Sequence, residues 1–278
     1  MTAGNGQSTN WGTEWRKGFL KLDNESVAQF WGRTHSKYYD SWVMHSDYPA
    51  QVFAALRPHL RRDSSVIEVG AGTGGFTLLI ARHVKSVTAV EPAREMADKL
   101  ERRLAEAGIT NVRVVREYLE KADVAPHDVV FGSHCFYDMD IDAVVPRLTA
   151  LARERVVLAT TLGDDHEAEL ELRQRRFRER AVCYVLLYNL IHDLGYTPSV
   201  QFADVNGTYQ YADRREFHEH WQWRFHGGTE QMDEFPGKFL RDAGDHLELD
   251  FGYRTAIISY LPEVEKVNWF GTPGAPLP

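Results

Sequence analysis

The chain has 278 residues, 43% of them hydrophobic and 26% charged, which is apolar material enough for one large α/β domain or two small ones. Its 32 Lys and Arg against 40 Asp and Glu give a net charge of −8, a balance that repels phosphate backbones and anionic lipid, so no nucleic-acid or membrane partner is expected. Two cysteines, Cys135 and Cys183, are too few for a disulfide framework or a four-thiolate zinc site and are expected as reduced thiols.

The opening MTAGNGQSTNWGTEW has no basic stretch with an apolar one behind it, so no secretion leader is expected and the chain is assigned to the cytoplasm. The longest nearly apolar run, Ala181 to Ile191, falls short of the ~20 residues that cross a bilayer. Residues 1–60 read as an N-terminal helical segment able to serve as a lid, broken at Pro49 and Pro58 and rich in aromatics, among them Trp15, Trp31, Tyr38, Tyr39, Trp42 and Tyr48.

The rhythm then changes. Ser65 to Val69 reads as a buried strand, residues 70–75 as a glycine turn and Phe76 to His83 as a helix. Ser86 to Val90 is a second strand, closed by Glu91 and Pro92 and followed by a helix over 93–107 that Gly108 ends. Strands follow at Asn111 to Val115 and Asp128 to Gly132, a helix over 141–152, and a fifth strand at Arg155 to Thr160. Five strand signals alternating with helices predict right-handed βαβ units and a doubly wound, mostly parallel sheet. After Leu162 the alternation stops: a charged segment to Arg180, an apolar helix over 181–194, a mixed aromatic stretch over 200–211 with room for a strand, a helix over 213–225, and a last strand over 255–261. The expected domain therefore spans 61–262, with a cap insertion at about 163–250 and a loose tail over 263–278.

Gly70, Gly72 and Gly74 lie between a strand and a helix, where glycine permits positive φ and a helix N-terminus offers unpaired N–H groups. Gly70, Gly72 and Gly75 also satisfy G-x-G-x-x-G, so the pattern alone fits NAD and other adenosine cofactors alike. Three acids narrow the choice. Glu68 sits inside an apolar strand, where a carboxylate would repel a pyrophosphate but suit an amino group or a sulfonium. Glu91 ends the second strand, where an acid accepts hydrogen bonds from ribose hydroxyls. Glu117 lies just beyond the third, within reach of an adenine amino group.

V-I-E-V-G-A-G-T-G, then A-V-E-P, then V-R-V-V-R-E-Y, resemble the successive cofactor motifs of class I S-adenosylmethionine-dependent methyltransferases, over about Ser64 to Leu162 and more weakly over Thr255 to Leu261. The resemblance implies a seven-stranded Rossmann-like sheet and S-adenosyl-L-methionine as cofactor. It assigns Glu68, Gly70, Ala71 and Gly72 to the methionine portion, Glu91 beside Pro92 to the ribose, and Glu117 to adenine N6 with Tyr118 beside the ring. The family often has Asp where this chain has Glu117. Tyr38 and Tyr39 are placed near the methionine end.

The fourth strand ends in Ser133-His134-Cys135-Phe136-Tyr137-Asp138, where related enzymes present cofactor- and substrate-facing groups. Ser133 is taken as cofactor-facing, His134 as the candidate base because its ordinary pKa lies near neutrality, and Tyr137 and Asp138 as further catalytic candidates. The Asn/Asp-Pro-Pro-Tyr motif of many nucleic-acid and protein amino methyltransferases is absent, which points to a small-molecule acceptor. Two alternatives stand beside this reading: an NAD-dependent oxidoreductase on the same turn, with no recognisable catalytic dyad, and a non-catalytic protein that binds the adenosyl ligand. Asp164-Asp165-His166 and His218-Glu219-His220 hold metal-ligand residue types, but with no second ordered cluster no metal is expected.

Overall fold

The β-branched runs form the strands the alternation predicts. A computed structural model describes residues 9–17, 26–31, 36–136, 139–162, 183–225, 233 and 236–263. Strands β1 (Ser65–Val69), β2 (Ser86–Val90), β3 (Val112–Val115), β4 (His127–Ser133) and β5 (Ala152–Thr161) pair in parallel, with β1 lying between β2 and β4. Two longer strands, β6 (Ser199–Tyr211) and β8 (Leu247–Tyr260), complete the order β3-β2-β1-β4-β5-β8-β6, and the two-residue β7 (Arg241–Asp242) pairs with β8 off that path. β8 runs antiparallel to both of its neighbours. The order reverses between β1 and β4, and in such a sheet the ligand crevice opens beyond the carboxyl ends of the strands at that point.

Both faces of the sheet are buried, which is why the central strands read as continuous apolar runs. Ile67, Val130, Val156, Leu158 and Ile258 pack on one side with Val144 and Leu148 of a helix over Ile141–Leu151 and Leu187 and Ile191 of a helix over Tyr184–Asp193. Val66, Val129, Phe131 and Val157 pack on the other. In chain order the helices are α1 (Trp11–Lys17), α2 (Val27–Phe30), α3 (Ser36–Met44), α4 (Tyr48–Leu56), α5 (Thr77–Ala81), α6 (Arg94–Glu106), α7 (Ile141–Leu151), α8 (Tyr184–Asp193) and α9 (Arg214–Phe225). α4 brings Tyr48, Val52 and Leu56 onto the second face, beside Phe76 and Ile80. α1 belongs to the first, where Trp15 is fully buried and donates its indole N–H to the Phe136 carbonyl at 3.1 Å. Among the described residues no helix is long and apolar enough to cross a membrane.

Several elements differ from their expected extents. The stretch expected as a cap contributes β6 to the central sheet itself, paired with β8 from Ser199↔Ser259 to Tyr211↔Leu247. β8 starts at Leu247, well before the expected Thr255, because Leu247, Leu249, Phe251 and Tyr253 alternate with Glu248, Asp250, Gly252 and Arg254 and form a one-sided strand. β5 pairs only with residues 255–260, so the first half of β8 and the second half of β6 project past the sheet as a hairpin. Tyr209, Tyr211 and Leu249 on that hairpin bury Phe217 and Trp221 of α9. The charged segment before residue 181 and the tail after 263 lie outside the described residues.

Truncating the buried indole of Trp15 removes both its volume and its hydrogen bond. Trp15→Ala is expected to cost about 3–5 kcal/mol in chemical denaturation; a loss below ~1 kcal/mol would show that α1 does not dock on the sheet.

Candidate active site

The turn after β1 bends back onto the end of β2. Gly70 and Gly72 take φ values of 66° and 58°, and the Gly70 and Ala71 N–H groups both donate to the Val90 carbonyl, at 2.9 and 3.2 Å. A Cβ on Gly70 would lie 2.4 Å from the Cys135 Cβ, so the turn and the end of β4 approach too closely for any other residue. Cys135 meets the turn with its thiol, which donates to the Val69 carbonyl at 3.2 Å.

Three acids stand at the carboxyl ends of successive strands. Glu68, in β1, is 2% exposed and accepts the Thr77 hydroxyl at 2.6 Å. Burial pushes its carboxyl up to about 8, with the Thr77 bond opposing and the Glu91 charge adding to the rise. Glu91, just past β2, is 5% exposed; one oxygen accepts the Gly72 N–H and the other the Ala93 N–H at the foot of α6, both at 2.8 Å. Burial pushes this carboxyl up to about 7 against those two bonds. Beyond β3, the half-buried Glu117 accepts the N–H of the half-buried Tyr118 at 2.9 Å. Pro92, between Glu91 and Ala93, is half-buried at the same edge.

Helix α3 lies across the glycine turn. The Tyr39 ring approaches Gly72 so closely that a Cβ there would sit 3.2 Å from the ring edge. Burial, and then the Glu68 and Glu91 carboxylates, hold the Tyr39 phenol above its usual range. Asp40 fastens the helix down: it accepts the Thr73 hydroxyl at 2.6 Å and pairs with Lys99 at 2.9 Å and Arg103 at 3.3 Å, both on α6. Arg103 also donates to the Thr73 carbonyl at 3.0 Å. Tyr38, expected near the methionine end with Tyr39, points the other way, because adjacent helical residues diverge by about 100°; its ring stacks on His220 of α9 at 4.3 Å.

At the end of β4 the Ser133 hydroxyl is bonded to the Tyr48 hydroxyl. His134 has a φ of 50°, uncommon for a residue with a Cβ. Its N–H donates to the Ala159 carbonyl at 2.9 Å, and its ring Nε2 lies 3.1 Å from Thr255 Oγ1. The rings of Tyr48, Trp42 and Tyr253 surround it edge-on, with centroids at 5.4, 6.3 and 6.4 Å. Tyr137 and Asp138 fall outside the described residues. Of the residues at this site, Asp40 and Thr255 escaped the sequence reading; neither belongs to a local pattern, and each acts on a partner far along the chain. His220 is 3% exposed and bonded to the Tyr211 hydroxyl at 2.9 Å, and among the described residues no group of three or more His, Cys, Asp or Glu could hold a metal ion.

A family model described as a methyltransferase domain matches residues 66–155. An uncharacterized methyltransferase of Alkaliphilus oremlandii is 25% identical over 188 residues, covering 62% of this chain and 80% of its own. A protein-L-isoaspartate O-methyltransferase of Chromohalobacter salexigens is 32% identical over 117 residues, 41% of this chain and 49% of its own. A putative methyltransferase from Bacillus halodurans shares the fold with a TM-score of 0.55 at 14% identity, covering 77% of this chain and 99% of that one. The YcgJ protein from Bacillus subtilis does so at 0.53 and 16%, covering 76% and 97%. Residues 66–155 thus match a methyltransferase domain, and the chain carries them on the fold of those two solved structures. The match to a methyltransferase domain favours S-adenosyl-L-methionine over NAD as the ligand of the glycine turn. The site fits that group on its own chemistry. Among the described residues no basic side chain lies within ion-pair distance of Glu68 or Glu91, and a cationic ligand supplies the counter-charge both lack.

The buried carboxyls also set a pH dependence of folding. Native Glu68 keeps its proton up to about 8 whereas the unfolded chain releases it in the ordinary carboxyl range, so between those limits the native state binds more protons. Stability from this group is full below the ordinary carboxyl range and is lost as pH rises towards 8. Thermal melts without ligand from pH 5 to 8 are expected to show a shallower fall for Glu68→Gln than for wild type; equal slopes would refute the protonated native carboxyl.

Proposed function

We propose that this methyltransferase acts on a small organic acceptor, and that the candidate residues share the work across the sheet edge. Glu91 holds the ribose hydroxyls: its two amide bonds orient the carboxylate, and each oxygen keeps a second lone pair for a hydroxyl donor. Glu117 takes the adenine amino group, with Tyr118 beside the ring and Pro92 at the same edge. Glu68 and the backbone of Gly70, Ala71 and Gly72 receive the methionine portion, and Tyr39 covers it with a ring whose face favours a cation. Ser133, held by Tyr48, faces the cofactor from β4, and His134 takes the acceptor's proton. When bound, S-adenosylmethionine supplies an electrophilic methyl group for in-line displacement by the acceptor, which leaves S-adenosylhomocysteine.

The observation that carries the small acceptor is the roof over the turn, with Tyr39 on Gly72 and Asp40 bonded to Thr73, Lys99 and Arg103. A helix fastened there encloses the crevice, and Trp42, Tyr48 and Tyr253 line the side of His134 with rings that suit a flat or apolar molecule. The acidic surface supports the absence of a nucleic-acid acceptor. Cys135 and Cys183, neither of them in a disulfide among the described residues, suit a reducing compartment, and we place the protein in the cytoplasm.

Titration calorimetry tests the cofactor assignments. Wild type is expected to bind S-adenosylmethionine and S-adenosylhomocysteine but not NAD, and Glu91→Ala to bind both about 10–100-fold more weakly, the worth of one hydrogen bond to a charged group. Unchanged affinity in that variant would remove Glu91 from the ribose. Methylation of an isoaspartyl peptide in preference to every member of a small-molecule panel would overturn the acceptor class.

A further inference from the structure

Helix α3 meets the glycine turn along one stripe. Tyr39 and Val43, one helical turn apart, lie over Gly72 and Gly75, where an added Cβ would come within 3.2 Å of the Tyr39 ring and 2.9 Å of a Val43 methyl carbon. A larger side chain at either glycine would press on the helix. Beside Tyr39, Asp40 reaches three partners at once. Its Oδ1 accepts the Thr73 hydroxyl at 2.6 Å and stands 3.3 Å from the Arg103 guanidinium, and its Oδ2 pairs with Lys99 at 2.9 Å. Lys99 also donates to the Ser36 hydroxyl at 3.2 Å. Thr73 is fully buried, and the turn is fixed to α6 independently of α3, since Arg103 donates to the Thr73 carbonyl and hydroxyl at 3.0 and 2.8 Å. The Asp40, Lys99 and Arg103 side chains are 19, 29 and 27% exposed, so water can replace their mutual bonds when the helix lifts. The chain just after α3 has a separate anchor on β6. The Thr208 N–H donates to the His45 carbonyl at 2.9 Å, the Asp47 N–H to the Asn206 carbonyl at 3.0 Å, and the Asn206 N–H to the Asp47 carboxylate at 2.7 Å.

We propose that α3 is a gate for the adenosyl ligand and that Asp40 is its latch, a positioning residue that sets how fast the ligand enters and leaves rather than how tightly it is held. The inference rests on the reading that Glu68 and the backbone of residues 70–72 receive the methionine portion beneath Tyr39. A ligand in that place has the turn below it and the Tyr39 ring above it, so it passes only when α3 parts from the turn. Parting breaks the Asp40 contacts and the packing of Tyr39 and Val43 on the glycines. The contacts of Tyr38 and Lys37 with α9 lie on the other side of the helix and persist, and the anchor at residues 45–47 serves as the pivot. Asp40 directs its carboxylate to Thr73, Lys99 and Arg103, so the latch favours the closed helix equally with ligand bound and without it. Weakening the latch therefore speeds entry and exit alike and leaves the binding equilibrium in place.

Stopped-flow tryptophan fluorescence of the full chain with S-adenosylhomocysteine reads the two rates separately. In wild type the observed rate of binding is expected to level off as ligand concentration rises, at the frequency with which α3 opens. Asp40→Asn, close in shape but uncharged, is expected to raise the association and dissociation rate constants by about 10-fold each, the worth of one hydrogen bond to a charged group, and to leave Kd within about threefold of wild type. Unchanged rates in a folded Asp40→Asn overturn the proposal. So does faster dissociation alone with a matching loss of affinity, the mark of a residue that only props the binding surface. A wild-type rate that stays proportional to ligand concentration overturns it even if the variant does not fold. Calorimetry of wild type with the same ligand separates the two readings: absence of binding overturns the place assigned to the ligand and the gate with it, whereas binding with ungated kinetics removes the latch alone.

Discussion

The Glu91 carboxylate joins the two turns on which the site is built. One oxygen takes an N–H from the turn after β1 and the other an N–H from the turn after β2, so a single side chain sets the separation of Gly72 and Ala93. Each bond to a charged acceptor contributes about 1.5–3 kcal/mol, which offsets part of the cost of burying the charge. The remainder appears as a raised pKa, and Glu68 a strand away shows the same imbalance more strongly. Two carboxyls whose burial is incompletely compensated make this a poor place for an anion and a good one for a cation. The glycines contribute shape to the turn, and the acids contribute its buried titratable groups.

Helix α3 couples this centre to the part of the chain beyond the sheet. One side of the helix carries Tyr39 and Asp40 to the glycine turn and to α6. The other carries Tyr38 to His220, and Lys37 to an ion pair with Glu216, both on α9. α9 is held in turn by the projecting hairpin, where the Tyr211 hydroxyl takes the Trp221 indole N–H at 2.8 Å and meets the His220 ring. A chain of packed and bonded groups therefore runs from the hairpin through α9 and α3 to Gly72. Helix α3 is thereby packed and bonded against the glycine turn.

How much of this was legible from the residues follows from the range of each interaction. The five parallel strands and the turn between β1 and α5 are local: they show in runs such as Val66-Ile67 and Val129-Val130, and in glycines whose conformations no other residue shares. Glu91 was legible because its place at a strand end is itself a local pattern. Asp40 was not, since a helical aspartate acquires meaning only when Thr73, Lys99 and Arg103 arrive from 33 to 63 positions later, and neither was Thr255, whose partner His134 is 121 positions away. The early start of β8 was visible in its alternation of apolar and polar residues, but charges at Glu248, Asp250 and Arg254 give that half the look of a loop. Tyr38 and Tyr39 show the same limit in miniature: as neighbours in sequence they look equivalent, and the turn of the helix sends them to opposite sides.

On the proposed reading the two halves of the crevice are built for different positions of one positive charge. The ends of β1 and β2 offer buried acids that no basic side chain pairs among the described residues, and so suit a cationic ligand before transfer. The β4 and β8 end offers an imidazole whose far nitrogen is tied to a buried hydroxyl, among aromatic rings that tolerate a cation after transfer.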